Sequence, residues 1–460
     1  MNLPAESESA PGAAPNAGAG SGTGAAYPHL AAIDAQTWPG VATVPSSLFG
    51  RFKARRAEAE FAQACAKAGI ELDPETKAET GADMEVLHDA LFSRLAEAGW
   101  VGFAESYMAG EWITPDSQRL VSVLRRLLGV GYRPKAKALE PEDSSTGELP
   151  VELVRLYSGD GMTHSGGIFA SGVPTTLRQA VPSYSPQAGR KEPKEHFVDV
   201  TTVSEPHGAE RADLGDAQRR AAQWLLDATH TGAGTHLLVY PASGLRVAVE
   251  AVGRRATVDV LTADAEQSHL FEEQLVLEGV ADSAHVQLID SVIPHPKKWR
   301  GRYDAIVSVE KLELLSPGER KNFIALLDRS VASGGRVSLS SLVATEEMTP
   351  AARDAIQALR AYIWPGLDYP TLTEVHKLCD RNSTLRIVGQ THIGAHYLES
   401  LRQQRSFFEG HRREAAAAGF DPVFRRLWVF QFALREALLE LGLIDAVQLV
   451  AAHRHRGGRR

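Results

Sequence analysis

From Asp213 to His453 the sequence alternates short β-branched runs with helical patterns, and few folds accept that rhythm. The runs are "HLLVY", "ATVDVL", "HVQLI", "YDAIVSV", "GRVSLSSL", "LRIVGQT" and, after a long gap, "AVQLVAAH". "DLGDAQRRAAQWLLDA" precedes the first, and "SPGERKNFIALLDRSV" lies between the fourth and fifth. Strands that alternate with helices in this way pair in parallel and are covered on both faces. The expectation is a seven-stranded, doubly wound α/β sheet of the Rossmann-like kind, preceded by a helical N-terminal domain.

The preceding half of the chain reads as helices. Phe49, Phe52, Phe61 and Cys65 fit one helix stopped by Gly69, and Leu87, Leu91, Leu95 and Ala98 fit a second ending at Gly99. Asp116 caps a third, whose Leu120, Val123, Leu124, Leu127 and Leu128 share one face before Gly129. "DPVFRRLWVFQFALREALLELG" reads as a long core helix, with Asp421 as cap, Pro422 at its first position and Gly442 at its end. Five segments follow: a disordered leader at 1–26, a helical domain at 27–150, a substrate-loop and irregular linker at 151–210, a sheet domain at 211–455 with inserted helices at 350–380 and 400–442, and a basic tail at 456–460. Within the linker, Ser171 to Gly208 is expected to be irregular.

The formal charge of −8 gives no global attraction to nucleic acid. Cys65 and Cys379 are too few for a disulfide framework, and the 16 histidines show no metal spacing. No apolar run reaches the roughly 18 residues of a membrane span, and no secretion signal precedes the fold. A cytoplasmic protein is expected. "HPKKWRGR" and the tail "HRHRGGRR" offer peripheral contact with anionic lipid at the inner membrane face.

The first strand enters the turn "YPASGL", where a nucleotide-binding sheet usually carries several glycines so that backbone approaches the ligand. Here Pro241, Ala242 and Ser243 precede a single Gly244, and Pro241 removes an N–H donor. Glu310 and Glu313 lie at the carboxyl end of the fourth strand, where open α/β sheets bind ligands.

Several segments carry a more specific signal in their order: "GWVGFAESYMAGEW", "GMTHSGGIF", "DLGDAQRRAAQWLLD", "LTADAEQ", "YDAIVSVEKLELL", "YIWPG" and "HYLESLRQQRSFF". Over about residues 85 to 455 they resemble the cyclopropane fatty acid synthase and mycolic acid methyltransferase family, whose domain is of the class I methyltransferase type. The resemblance implies methyl transfer from S-adenosylmethionine to the double bond of an unsaturated acyl lipid, and a carbocation deprotonated by a bound bicarbonate. Glu313 and Tyr397 fall on two bicarbonate-contacting positions and are the expected catalytic residues. Gly166 and Ser340 stand where the family has a cysteine and a histidine, and His164 where it has a tyrosine. Ser243, Gly244, Gln267 and Asp290 fall on cofactor-binding positions, whereas Val239 replaces the acidic residue that ends the first strand.

Together these replacements predict a pseudoenzyme: an acyl-lipid-binding or regulatory partner that forms a homo- or hetero-oligomer with a related, active lipid methyltransferase. The alternative is an active methyltransferase or cyclopropane synthase with an unusual cofactor turn.

Overall fold

The computed structural model describes residues 27–46, 50–72, 82–140, 148–240 and 244–454. The expected leader, Leu48, Phe49, Ser243 and the 456–460 tail lie outside the described residues. The chain divides into two compact units, Met1–Ala138 with Phe420–Phe430, and Leu139–Gly419 with Gln431–Arg460.

The first unit is helical: α1 (Pro39–Ala42), α2 (Gly50–Ala68), α3 (Ala90–Ala109) and α4 (Ser117–Gly129), with β1 (Glu85–Val86) paired antiparallel to β2 (Trp112–Ile113). Phe61 and Cys65 are buried as their spacing predicts, and Gly69 follows α2 at a φ of +66°. Asp116 caps α4 by accepting from the Arg119 N–H at 2.6 Å. The second helix differs from expectation. Gly99 breaks α3 internally at φ +57° instead of ending it, and Leu87 stays outside, exposed. The apolar face simply resumes beyond the break, with Trp100, Phe103, Ala104 and Met108 buried.

The second unit contains a nine-stranded sheet: β3 (Pro174–Pro182), β4 (Glu195–Val203), β5 (His236–Val239), β6 (Thr257–Thr262), β7 (Ala284–Leu288), β8 (Tyr303–Val309), β9 (Val331–Ala344), β10 (Leu385–His392) and β11 (Ile444–His453). Its helices are α5 (Val151–Arg155), α6 (Leu214–Ala228), α7 (Arg246–Gly253), α8 (Ala265–Leu277), α9 (Pro317–Ser330), α10 (Pro350–Ala355), α11 (Gln357–Tyr362), α12 (Leu372–Asn382), α13 (Gly394–Gly410), α14 (Arg412–Ala417) and, from Gln431 on, α15 (Pro422–Glu440), whose residues up to Phe430 belong to the first unit. All seven expected strands form. The order is β3-β4-β10-β11-β9-β8-β5-β6-β7, and β11 inserts antiparallel between β9 and β10.

Side-chain alternation explains why helices cover both faces. On β5, Leu237 and Val239 face a core built from α6, α7 and α8, while Leu238 and Tyr240 face one built from α9 and α12. Asp421 caps α15 through the Phe424 N–H at 2.7 Å, and most of that helix is buried, as a core helix should be. No described helix is long and apolar enough to cross a membrane.

The stretch from Ser171 to Gly208 is not irregular, as expected, but a hairpin. β3 and β4 pair antiparallel through nine residues, and β4 joins the sheet parallel to β10. Proline, serine and glycine around the hairpin masked its β-branched alternation ("HFVDVTTV"). Pro174 and Pro182 stand at the ends of the edge strand, where a missing N–H costs no ladder bond and discourages further pairing.

Candidate functional site

Where β8 ends, the chain turns through Glu310 at a φ of +47°, a left-handed conformation that a side chain adopts only under constraint. Its N–H is tied to the Ser340 carbonyl of β9 at 2.8 Å. The buried carboxylate accepts from the Tyr397 hydroxyl through Oε1 at 2.6 Å and from Arg435 Nη2 through Oε2 at 3.4 Å. His164 Nε2 lies 3.8 Å from the same Oε2. Arg435 also donates to the Tyr397 hydroxyl, and its guanidinium lies 5.5 Å and 5.7 Å from the Tyr397 and Trp364 ring centres. Burial pushes the Tyr397 hydroxyl well above its ordinary pKa, so it stays a donor.

Glu313, one 3-10 turn further on, points at β9. It accepts from the Leu342 N–H at 2.9 Å and from Ser341 Oγ at 2.7 Å, and is 2% exposed. Burial, with the Glu310 charge next, pushes its carboxyl up to about 7.

The segment after α5 lies against this cluster. Asp160 accepts from the N–H groups of Met162 and Thr163 and from Arg246 Nε at 2.8 Å, which ties the segment to the start of α7. Burial raises the Asp160 carboxyl, but the Arg246 and local hydrogen bonds outweigh it and leave it low. Gln218 of α6 accepts from Gly159 N–H and donates to the Thr163 and Ser165 carbonyls. From α13, Gln404 donates to the Ser165 carbonyl, while Ser400 Oγ accepts the Gly167 N–H. Gly166 sits so near Tyr397 that a Cβ there would stand 2.5 Å from the ring.

The cofactor-side residues are less closed. Gly244 has a φ of +89°, and a Cβ on it would meet the Met162 carbonyl at 2.2 Å, so glycine is required there for backbone approach. Gln267, in the first turn of α8, donates through Nε2 to the Leu149 carbonyl at 2.8 Å. Its Oε1 is buried with no hydrogen-bond partner among the described residues, an acceptor that fits the hydroxyl or amine donors of an adenosyl group. Asp290 does not join it. That carboxylate is exposed beyond β7 and paired with Lys298.

Glu313 and Tyr397 therefore belong to one cluster, although the hydroxyl of Tyr397 is bonded to Glu310 and not to Glu313. A bicarbonate does not fit. The Tyr397 hydroxyl donates to the chain's own Glu310, Arg435 Nη2 is shared between Glu310 and that hydroxyl, and both Glu313 oxygens accept from β9, so the groups that would hold the anion are engaged by the chain itself. Nothing in the motif order singled out Arg435, Asp160 or Arg246. Arg435 had a signal: it is the one cation in the largely apolar run "LWVFQFALREALLELG". Of the basic stretch, Lys297, Lys298, Arg300 and Arg302 are exposed, whereas Trp299 stacks on Tyr303 at 5.9 Å between ring centres.

An open sheet of this order, with helices on both faces and a polar cluster at the carboxyl end of its central strands, is the class I methyltransferase fold. Two solved structures share it. The cyclopropane synthase MmaA2 from Mycobacterium tuberculosis aligns at 16% identity and a TM-score of 0.50, covering 66% of this chain and 94% of that one. Coclaurine N-methyltransferase, bound to N-methylheliamine and SAH, aligns at 13% identity and a TM-score of 0.54, covering 77% and 100%. Residues 206–449, over half the chain, match the mycolic acid cyclopropane synthetase family, and the chain belongs to it. A curated relative, the tuberculostearic acid methyltransferase UfaA1 of Mycobacterium tuberculosis, is 27% identical over 434 residues, which are 91% of this chain and 96% of that protein.

Proposed function

We propose that the chain is an active methyltransferase that uses S-adenosylmethionine to alkylate the double bond of an unsaturated acyl lipid. The observation that carries this is the buried cluster of Glu310, Glu313, Tyr397 and Arg435 at the carboxyl end of β8. Desolvating a guanidinium and a carboxylate costs several kcal/mol each, and an apolar replacement is often neutral or stabilising. A chain that only held lipid, or only regulated a partner, has no use for such a cluster. The catalytically impaired reading is therefore the weaker one, even though the cofactor turn has lost its glycines.

S-adenosylmethionine supplies an electrophilic methyl group when bound. Gln267 Oε1 would accept from its adenosyl part, and the turn at Gly244 would bring backbone near it. The rings of Trp364 and Tyr397, both buried, would keep water from a cation formed on the acyl chain. The exposed basic residues 297–302 suit an anionic lipid surface, and assembly with a second methyltransferase chain is compatible with this role.

The test uses the purified full chain with labelled S-adenosylmethionine and vesicles of oleoyl phosphatidylglycerol. Methyl label should enter the acyl chains, and titration calorimetry should show micromolar cofactor binding. No label in lipid and no heat at near-millimolar cofactor would return the impaired reading.

A further inference from the structure

The cluster contains more acid than positioning requires, and one member stands in a backbone conformation that demands a reason. Glu310 is a non-glycine residue at φ +47°, at the carboxyl end of a central strand, with its side chain turned inward to 6% exposure. A glycine there would be free of strain and a lysine or serine would leave the cluster; the chain instead spends backbone strain to hold a carboxylate at this point.

Methylation of an alkene needs a base. The alkene electron pair takes the methyl group as its bond to sulfur breaks, S-adenosylhomocysteine leaves, and the other alkene carbon is left as a cation. A C–H bond of the new methyl group must then break: its electron pair forms a second C–C bond to the cation, which closes a ring, or, once hydride has moved from the methyl-bearing carbon to the cation, it forms the C=C bond of a methylene. The proton must go to a group that is held in place and out of water.

Resting on the methyltransferase reading above, we infer that Glu310 is that group: its Oε2 takes the proton directly, and Tyr397 and Arg435 hold the carboxylate in the place that a free anion would otherwise fill. Three observations favour it over its neighbours. Both oxygens of Glu313 accept hydrogen bonds from β9, at 2.9 Å and 2.7 Å, so that side chain is anchored away from a substrate. Glu310 Oε1 is committed to Tyr397 at 2.6 Å, whereas the contacts of Oε2 among the described residues are longer, 3.4 Å to Arg435 and 3.8 Å to His164. Finally, Gly166 lacks a side chain and the Tyr397 ring lies where its Cβ would project, so the ring takes the place of a side chain there. A C–H activated by a nearby carbocation is so strong an acid that the position of the base matters more than its basicity.

The test compares wild type with Glu310→Gln and Glu310→Gly in the vesicle assay, each checked for cofactor binding by calorimetry. Glu310→Gln keeps the size of the side chain and should lower methylated or cyclopropanated product by about 100-fold or more, the usual worth of a placed base, with the cofactor dissociation constant within about twofold. Glu310→Gly suits the left-handed backbone, guards against a folding failure, and opens a space beside Tyr397 and Arg435. Added bicarbonate or formate should restore part of its activity, and chloride should not. An active wild type with Glu310→Gln product within about threefold overturns this proposal alone, and so does a folded, inactive Glu310→Gly chain that neither bicarbonate nor formate revives. A wild type that transfers no methyl group overturns the methyltransferase reading and this proposal with it.

Discussion

At the carboxyl end of β8 the polar side chains bond to one another, Glu310 to Tyr397 and Arg435, and Glu313 to β9. At the start of α8, beyond β6, Gln267 instead keeps a buried oxygen with no partner among the described residues. The first region is complete without a ligand; the second is not. Removing a member of a closed buried network strands its partners inside the protein, and the loss appears as stability. Removing an acceptor that has no partner should appear in ligand affinity instead. The contrast can be broken at several points.

The largest effect is expected at Arg435. Arg435→Leu leaves Glu310 buried without its cation, and urea unfolding should show a loss of about 3–5 kcal/mol. A loss under about 1 kcal/mol would mean that the guanidinium does not compensate the carboxylate.

Glu313 sharpens the comparison through pH. Burial, and then the Glu310 charge, raise its carboxyl from 4.5 to about 7. The folded chain thus holds this proton more tightly than the unfolded chain, which favours folding below the unfolded value. Stability should fall as pH rises from about 4.5 through about 7, by about 3 kcal/mol in total. Glu313→Gln should flatten that window in denaturation curves taken at several pH values. An unchanged slope would assign the dependence to other groups.

How much of this was legible in the chain differs between the same two regions. The seven strands were readable because their alternation is local: each apolar face recurs every second residue, and helix caps such as Asp116 and Asp421 need only their own first turn. Glu313 and Tyr397 were found by the order of motifs and Glu310 by its place at the strand end, but Arg435 was not. Arg435 is 125 residues from Glu310 and reaches it only once β11, α13 and α15 have packed, so no spacing rule connects the two. The hairpin of β3 and β4 was missed for a different reason. Its strands carry weak alternation between strong turn residues, and what stabilises them is the edge of β10, which the sequence does not display.

On the open side, Gln267→Ala should weaken S-adenosylmethionine binding about tenfold, the worth of one buried hydrogen bond. The chain without cofactor should change by less than about 1 kcal/mol, since only the contact to the Leu149 carbonyl is lost. An unchanged dissociation constant would show that the free oxygen does not face the cofactor.

Asp290 should give the smallest effect, and it separates two meanings of a matching position. Sequence order places it among the cofactor residues, yet its carboxylate is exposed and already engaged by Lys298, whose hydrogen bond holds the acid below its usual range. An exposed ion pair gains little in water and is screened by salt. A carboxylate that reached ribose hydroxyls would have to leave that lysine and become enclosed. Asp290→Asn should therefore leave the cofactor dissociation constant within about twofold, and the small change that remains should vanish at high salt. A tenfold loss that persists at high salt would mean that the β7 end closes over the bound cofactor and recruits Asp290. The open side would then complete itself with protein as well as ligand, and its difference from the acid cluster would be one of timing.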